Sequence, residues 1–491
     1  MALAISLAAW LICGKMPFGC GGKPAVNENR MNKELSDFAT RLRGIISSSV
    51  AAEVTRLKYS ESFGGISTPI RLEPPHVGCY KDFDALAREL FALQFKYNPA
   101  YAKICRARMV TPERVGHWTQ IPAVPTAAFK ELELTCLPPD ERTVVFHSSG
   151  TTKQTPSRHY HCQESLKIYE TSLWSWFEQN ILSDLRFTIH DLRLICLLPP
   201  PELAPHSSLV HMFETVRQEL GAPESAFVGQ IDSNGAWTLD FSAAIDALAP
   251  SAVRSRSSRG NEAQIETGDE VRASLRRLLP PQRVTKPVLL LGTAFSFVHL
   301  LDFLTEKNLH FNLPTGSRVM ETGGYKNRSR SMPKTELHAL ITERLGVPPE
   351  NIICEYGMSE LSSQAYVPGA PASSRRISAG KTTELAGWKP ALPGRFRFPP
   401  WARAQIVSPE TGQEVADGET GLIRVLDLAN VFSVMAIQTE DLGIRRGGGF
   451  ELIGRARLAE PRGCSLMMND PLAPSLSPPG EERVAEGRVR G

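Results

Sequence analysis

The 491-residue sequence has little paired cysteine chemistry. Its nine cysteines are scattered, none in a CxxC pair and none at the spacing of Cys/His metal ligands. No zinc site is indicated, and an odd, scattered set in a large chain reads as reduced thiols in a cytoplasmic protein. Strong charge is also lacking: 55 basic and 52 acidic side chains leave a net +3. With no dense basic stripe, nucleic acid is not an expected partner. The short cluster "RSRSSRG" at 254–260 reads as a solvated insertion; the insertion around 250–265 has no assignable role. The Walker pattern GxxxxGK[ST] does not fit the hydroxyl-rich loop described below, which disfavours a Walker-type NTPase. No internal repeat is visible. No apolar run is long enough for a stable membrane span; "ALAISLAAWLIC", Ala2 to Cys13, is too short and has no basic residues before it. Residues 1–32 read as an added extension or a disordered leader, with export as the minor alternative to a cytoplasmic location.

What is present is ordinary for a globular protein of two or three domains: 42% apolar and 22% charged residues. Residues 33–110 carry helical spacing, with Leu86, Leu90, Phe91, Leu93 and Phe95 three and four apart and a break at Asn98-Pro99. From 143 to 360 short apolar runs ("TVVF", "RLICLLP", "PVLLLG", "SRVMET", "NIICEY") alternate with amphipathic stretches. That pattern predicts an α/β fold with a mostly parallel sheet, whose ligands sit at loops beyond the strands' C-terminal ends. After about 400 short strands and turns predict a small β subdomain. The expected units are an α/β core at 33–400 with a helical N-terminal part, a β subdomain at 401–457, and a tail at 458–491 whose end is disordered.

Three strand ends carry chemistry. "HSSGTTKQTPSRH", His147 to His159, exposes hydroxyls and backbone N–H groups that can wrap an anion, with Lys153, Arg158 and His159 adding charge. A polar surface loop is the alternative. "METGGYKNR" places paired glycines after a strand, which close backbone approach to a flat ligand, or a plain turn, would explain. "CEYGMSELS" sets Tyr356, Gly357, Ser359 and Glu360 on one turn: a ring for stacking on a base, a hydroxyl for phosphate and a carboxylate for Mg²⁺. Its alternative is a helix N-cap at Ser359. "TEDLG" then offers Asp441 beside a turn for vicinal hydroxyls, and "GGGFELIGRAR" offers Arg455 beyond a hairpin. A salt bridge or a turn aspartate accounts for either one alone.

Taken in order, these five motifs resemble the adenylate-forming superfamily over residues 143–456. "FALQFKYNPAYAKIC", "APHSSLVHM" and "GRARLAEPRGCSL" are more specifically similar to the acyl-protein synthetase family, the long-chain-fatty-acid–luciferin-component ligases, over about 35–470. The resemblance implies an AMP-forming ligase of the bioluminescence type: ATP, with Mg²⁺, converts a fatty carboxylate to an acyl-adenylate, and the acyl group moves to a cysteine and on to a partner fatty acid reductase. Carried over residue by residue, Ser148, Ser149, Gly150, Thr151, Thr152 and Lys153 would form the phosphate loop with Arg158 as counter-charge. Glu321, Gly323, Gly324, Tyr325 and Tyr356, with Gly357 beside them, would cradle adenine. Ser359 would touch phosphate, Glu360 would hold Mg²⁺, Asp441 and Arg455 would bind ribose, and Cys464 would accept the acyl group. Arg462, two residues before Cys464, could lower its pKa.

Several positions depart from the superfamily pattern. Lys153 stands where a glycine is usual, Ser157-Arg158 replace Pro-Lys, and the ribose motif reads Thr-Glu-Asp. Roughly 35 residues follow Arg455, too few for the usual mobile C-terminal domain with its catalytic lysine. That disfavours ordinary CoA-thioester formation. The rival expectations are an adenylating ligase for an aryl or amino acid, and a degenerate nucleotide-binding partner subunit.

Overall fold

The computed structural model describes residues 33–48, 83–148, 155–182, 192–222, 224–233, 235–249, 286–323, 332–367 and 394–456. It has the mixed α/β architecture expected. The N-terminal part is helical: α1 over 33–48, α2 Phe83–Tyr97 and α3 Pro99–Ala107. The break at Asn98 is a cap: its side chain accepts from the Tyr101 amide, and Pro99 at the first helical position gives up no hydrogen bond there.

The larger sheet is built from the runs with no alternation. Strands β4 (Arg193–Cys196), β8 (Val288–Thr293), β9 (Arg318–Thr322) and β10 (Ile352–Tyr356) are buried at every residue. Continuous burial is the mark of a parallel sheet covered on both faces. Six strands lie in the order β11-β10-β9-β8-β4-β5, with β5 at Ala226–Phe227 and β11 at Ala365–Val367. All neighbours are parallel except β11, which runs antiparallel to β10. Four amphipathic helices pack on it: α5 (Gln163–Phe177), α6 (Ser208–Leu220), α8 (Ala294–Glu306) and α9 (Lys334–Leu345), α7 being Phe241–Leu248 and α4 the short Ala128–Glu131.

The "TVVF" run does not join that sheet. It forms β2 (Val144–His147), which pairs only with β3 (Arg158–His161) in an antiparallel hairpin. A second hairpin joins β6 (Gly229–Ile231) and β7 (Trp237–Leu239). An apolar run of four cannot by itself distinguish a parallel core strand from a hairpin arm.

The C-terminal β region is an antiparallel sheet of β12 (Ala402–Val407), β13 (Thr420–Asp427), β14 (Ala436–Arg446) and β15 (Gly449–Arg455). It takes in a strand from far upstream: β1, Val124–Pro125, lies parallel to Ile437–Gln438. Its core crosses residue 400. Leu42, Phe91 and Tyr101 of the helical part pack in one cluster with Ile406, Ile423 and Ile437. Buried Gln94 ties the two together, donating to the Asn430 carbonyl (2.7 Å) and accepting from the Met435 amide (3.1 Å).

Five of the nine cysteines fall among the described residues, and all five are free thiols. No helix among the described residues is long and apolar enough to cross a membrane.

Candidate functional site

One cavity of about 860 Å³ lies at the C-terminal edge of the parallel sheet, facing the β14–β15 hairpin. Strand ends supply polar lining: His147 and Ser148 at the end of β2, Thr293 at the end of β8, Thr322 and Gly323 at the end of β9, and Glu355 to Glu360 around the end of β10. Thr439, Glu440 and Asp441 of β14 and Arg455 of β15 face them. Tyr169, Leu203, Leu209, Met212, Ile231 and Trp237 add apolar lining.

The turn after β10 is held from behind. Asp427 accepts the Ser362 and Ser363 amides at 2.9 and 2.8 Å and the Ser363 hydroxyl at 2.7 Å. Asn430 donates to the Glu360 carbonyl (2.8 Å) and accepts from the Ser362 hydroxyl (2.6 Å). His159, wholly inside, donates from Nδ1 to the Ser359 carbonyl at 2.8 Å. Burial holds the His159 pKa below its usual value, with the Ser359 carbonyl and Glu360 opposing. This histidine is therefore a neutral strut for the turn, not the counter-charge expected for it. The stretch from Gly357 to Gln364 is a turn between antiparallel β10 and β11, so the helix N-cap alternative for Ser359 does not hold. The Ser359 hydroxyl donates to the Glu360 carboxylate (2.9 Å), and both residues are buried in the cavity wall.

Tyr356 is wedged edge-on against Phe450, ring centroids 5.4 Å apart, with Phe396 and Phe398 beyond. Its hydroxyl donates to Asp441 Oδ2 at 3.0 Å. Burial foremost, then the Asp441 charge, pushes its pKa well up, so the phenol stays protonated. Asp441 pairs directly with Arg455 across the two strands, Nε to Oδ1 at 3.2 Å, and Arg455 also reaches Glu440 at 3.0 Å. Thr439 to Gly443 lie within strand β14 and form no turn; pairing with β13 and β15 keeps them extended through a register shift at Leu442/Gly443.

Two expected roles are not met in position. Arg158 does not line the cavity; its guanidinium donates to the Lys130 carbonyl at 3.3 Å. Glu321 does not line it either. Strand alternation turns its side chain away from Thr322, toward Lys334, His338 and Cys354. Gly323 does line it and has φ +76°, a conformation that disfavours any side chain. Ser148 also reaches the cavity, and its hydroxyl accepts from the Ser157 amide at 3.0 Å. Ser149, Gly150, Thr151, Thr152, Lys153, Gly324, Tyr325, Arg462 and Cys464 lie outside the described residues.

Sequence reasoning missed Glu355, Lys334 and the histidine pair. Glu355 lines the cavity, accepts from the Thr322 hydroxyl, and has its pKa pushed up to about 7, mainly by burial. Gly357 makes room for it: a Cβ there would stand 2.4 Å from Glu355 Oε1. His147 and His206 stack with centroids 4.8 Å apart at the cavity wall. Burial, His206 and Arg158 all lower the His147 pKa, so that ring stays neutral at pH 7. An acid beside the Tyr-Gly pair was in plain view; nothing in the local sequence marked Lys334 or His206.

No family model matches the chain. It is 22% identical over 404 residues to the long-chain-fatty-acid–luciferin-component ligase of Aliivibrio fischeri, spanning 78% of this chain and 87% of that one. The protein of the same name from Vibrio harveyi is 23% identical over 393 residues, with 77% and 85% covered. Among solved structures, 2-hydroxyisobutyryl-CoA ligase with 2-HIB-AMP and CoA aligns at TM-score 0.48 and 12% identity, covering 79% of this chain and 75% of that one. ATP-bound MatB from Rhodopseudomonas palustris aligns at TM-score 0.36 and 16% identity, covering 73% and 58%. The family resemblance drawn from the ordered motifs is the one the curated relatives carry in their names, and those relatives are ligases.

Proposed function

We propose that the chain is an AMP-forming ligase that activates a long-chain fatty acid with ATP and passes the acyl group to a protein thiol, acting in the cytoplasm. The observation that carries this reading is convergence. Residues from 148, 323, 356–360, 439–441 and 455 meet at one cavity that is lined by apolar side chains as well.

A carboxylate is a poor electrophile because its leaving group would be oxide; joining it to AMP supplies a good one. The polar lining has what that step asks of a protein. Asp441, already oriented by Arg455 and by the Tyr356 hydroxyl, presents a fixed acceptor for paired ribose hydroxyls. The Tyr356 ring, held by three phenylalanines, gives a base a rigid edge. Ser148 and Ser359 offer hydroxyls to phosphate oxygens; Ser149, Gly150, Thr151, Thr152 and Lys153, outside the described residues, complete the phosphate loop of this reading. Glu360, a buried carboxylate in the cavity wall beside Ser359, fits a hard cation. Bound there, Mg²⁺ neutralises phosphate charge. The Leu203, Leu209, Met212, Ile231 and Trp237 side chains suit an alkyl chain rather than an amino acid's charged group. Cys464 is the acyl acceptor of this reading, and a fatty acid reductase is the partner that collects the acyl group.

ATP–pyrophosphate exchange over a panel of fatty, aryl and amino acids tests the activation step. Exchange with long-chain fatty acids is expected; exchange with aryl or amino acids alone rejects the fatty substrate. Labelled fatty acid with ATP and Mg²⁺ should give a hydroxylamine-sensitive acyl-enzyme. Cys464→Ser should lose that label while keeping exchange, and full labelling of the variant rejects the acceptor role.

A further inference from the structure

Behind the Thr322–Gly323 wall of the cavity lies a second cluster with its own chemistry. Parallel β9 and β10 set Glu321 opposite Cys354. Helix α9 begins at Lys334 and brings His338 onto the same face one turn later. Cys354 Sγ lies 2.9 Å from Glu321 Oε1, His338 Nε2 lies 3.5 Å from that oxygen, and Sγ and Nε2 are 3.8 Å apart. A zinc ion with Zn–S near 2.3 Å and Zn–N and Zn–O near 2.0 Å, tetrahedrally bound, puts its ligand atoms about 3.3 to 3.6 Å apart. The observed triangle straddles those edges, so small side-chain rotations bring all three into ligand range.

Two features point to a cation here. Glu321 is fully buried, and its second oxygen, Oε2, has no hydrogen-bond partner. A buried carboxylate needs a positive neighbour, and the Lys334 ammonium supplies one at 2.8 Å from Oε1. Lys334 is the first residue of its helix, and its side chain is 38% exposed, so it has a route out to solvent.

We propose that Glu321, His338 and Cys354 form a three-ligand site for a thiophilic divalent cation of the zinc class, with the Lys334 ammonium as the occupant that the metal displaces. Thiol and imidazole donors beside a single carboxylate select such an ion over Mg²⁺ or Ca²⁺. Charge balances in both states. Carboxylate and ammonium cancel without metal; with it, the dication meets one carboxylate and one thiolate. Binding releases the Cys354 proton to solvent, while Lys334 leaves still protonated. A water or an external thiol completes the fourth position.

The test is competition between the full-length reduced chain and a chromogenic chelator for Zn²⁺, with Co²⁺ absorption as the structural readout. One tight equivalent is expected, with a thiolate-to-Co²⁺ charge-transfer band. Cys354→Ser should lose the band, His338→Gln should weaken binding by at least about tenfold, and Lys334→Met should tighten it, since an unpaired buried Glu321 then awaits the metal. The band surviving in Cys354→Ser, or the affinity surviving unchanged in His338→Gln, overturns the site. Unchanged affinity in Lys334→Met overturns the displacement. Should Cys354→Ser fail to fold by circular dichroism, His338→Gln, at a side chain 24% exposed, decides alone.

Discussion

Replacing Glu355 by glutamine should change how stability depends on pH. Glu355 is 4% exposed, and its pKa rises from the ordinary 4.5 to about 7. Burial is the main cause; the Thr322 hydrogen bond opposes it, the Glu321 charge adds to it, and Lys334 opposes it. The folded chain thus holds this proton more tightly than the unfolded chain does. The group's stabilising contribution is complete below pH 4.5 and is lost as pH rises through 7. At about 1.36 kcal/mol per tenfold, the loss between pH 5 and pH 8 comes to about 2 to 3 kcal/mol. Glutamine keeps a carbonyl oxygen for the Thr322 hydroxyl and carries no proton to lose. Urea unfolding of both proteins at pH 5, 6.5 and 8 should show Glu355→Gln gaining on the parent by that amount across the range. A difference between the two that stays flat within about 0.5 kcal/mol refutes the reasoning. So does a difference that moves the other way.

Three further outcomes are expected. Tyr356→Phe keeps the ring among its phenylalanines but removes the hydrogen bond to Asp441; it should cost about 1.5 to 3 kcal/mol in urea unfolding, the range for a hydrogen bond to a charged group. On the proposed function, ATP affinity measured by calorimetry should fall with it, because Asp441 loses one of its two anchors. Gly357→Ala drives a Cβ into Glu355 Oε1 and should destabilise by about 1 to 3 kcal/mol, read as a lower thermal midpoint. Asp427→Asn turns an amide NH₂ toward donors among Ser362, Ser363 and Ala429, and should cost at least about 2 kcal/mol; a neutral result in urea means the turn bearing Glu360 is held by other contacts.

The relationship to ligases and the α/β class were legible because both rest on local signals. Runs such as "PVLLLG" and "NIICEY", alternating with amphipathic stretches, fit a mostly parallel sheet covered on both faces, and five motifs in fixed order leave few alternatives. What was not legible depends on where a side chain points. Glu321 and Thr322 are neighbours in sequence, yet strand alternation sends one to the cavity wall and the other behind it. His159 looked like a cation beside a phosphate loop, and complete burial makes it a neutral hydrogen-bond donor. Arg158 alternates with it and is spent on the Lys130 carbonyl. The "TED" motif read as a turn because Asp and Gly usually mark one; two flanking strands hold it extended. The pairing of β1 with β14, across more than 300 residues, has no local signature at all.

That last pairing sets a timetable for synthesis. Val124 waits for Ile437, and Gln94 waits for Asn430 and Met435. At about 5 to 20 residues per second, the ribosome takes on the order of 15 to 60 s to make the intervening chain. Until then the apolar faces of α2 and α3, with Phe91 and Tyr101, have no sheet to lie against. The N-terminal helices are made first and buried last. During that interval they are natural clients for a chaperone, and a nascent chain stalled before residue 436 leaves them uncovered.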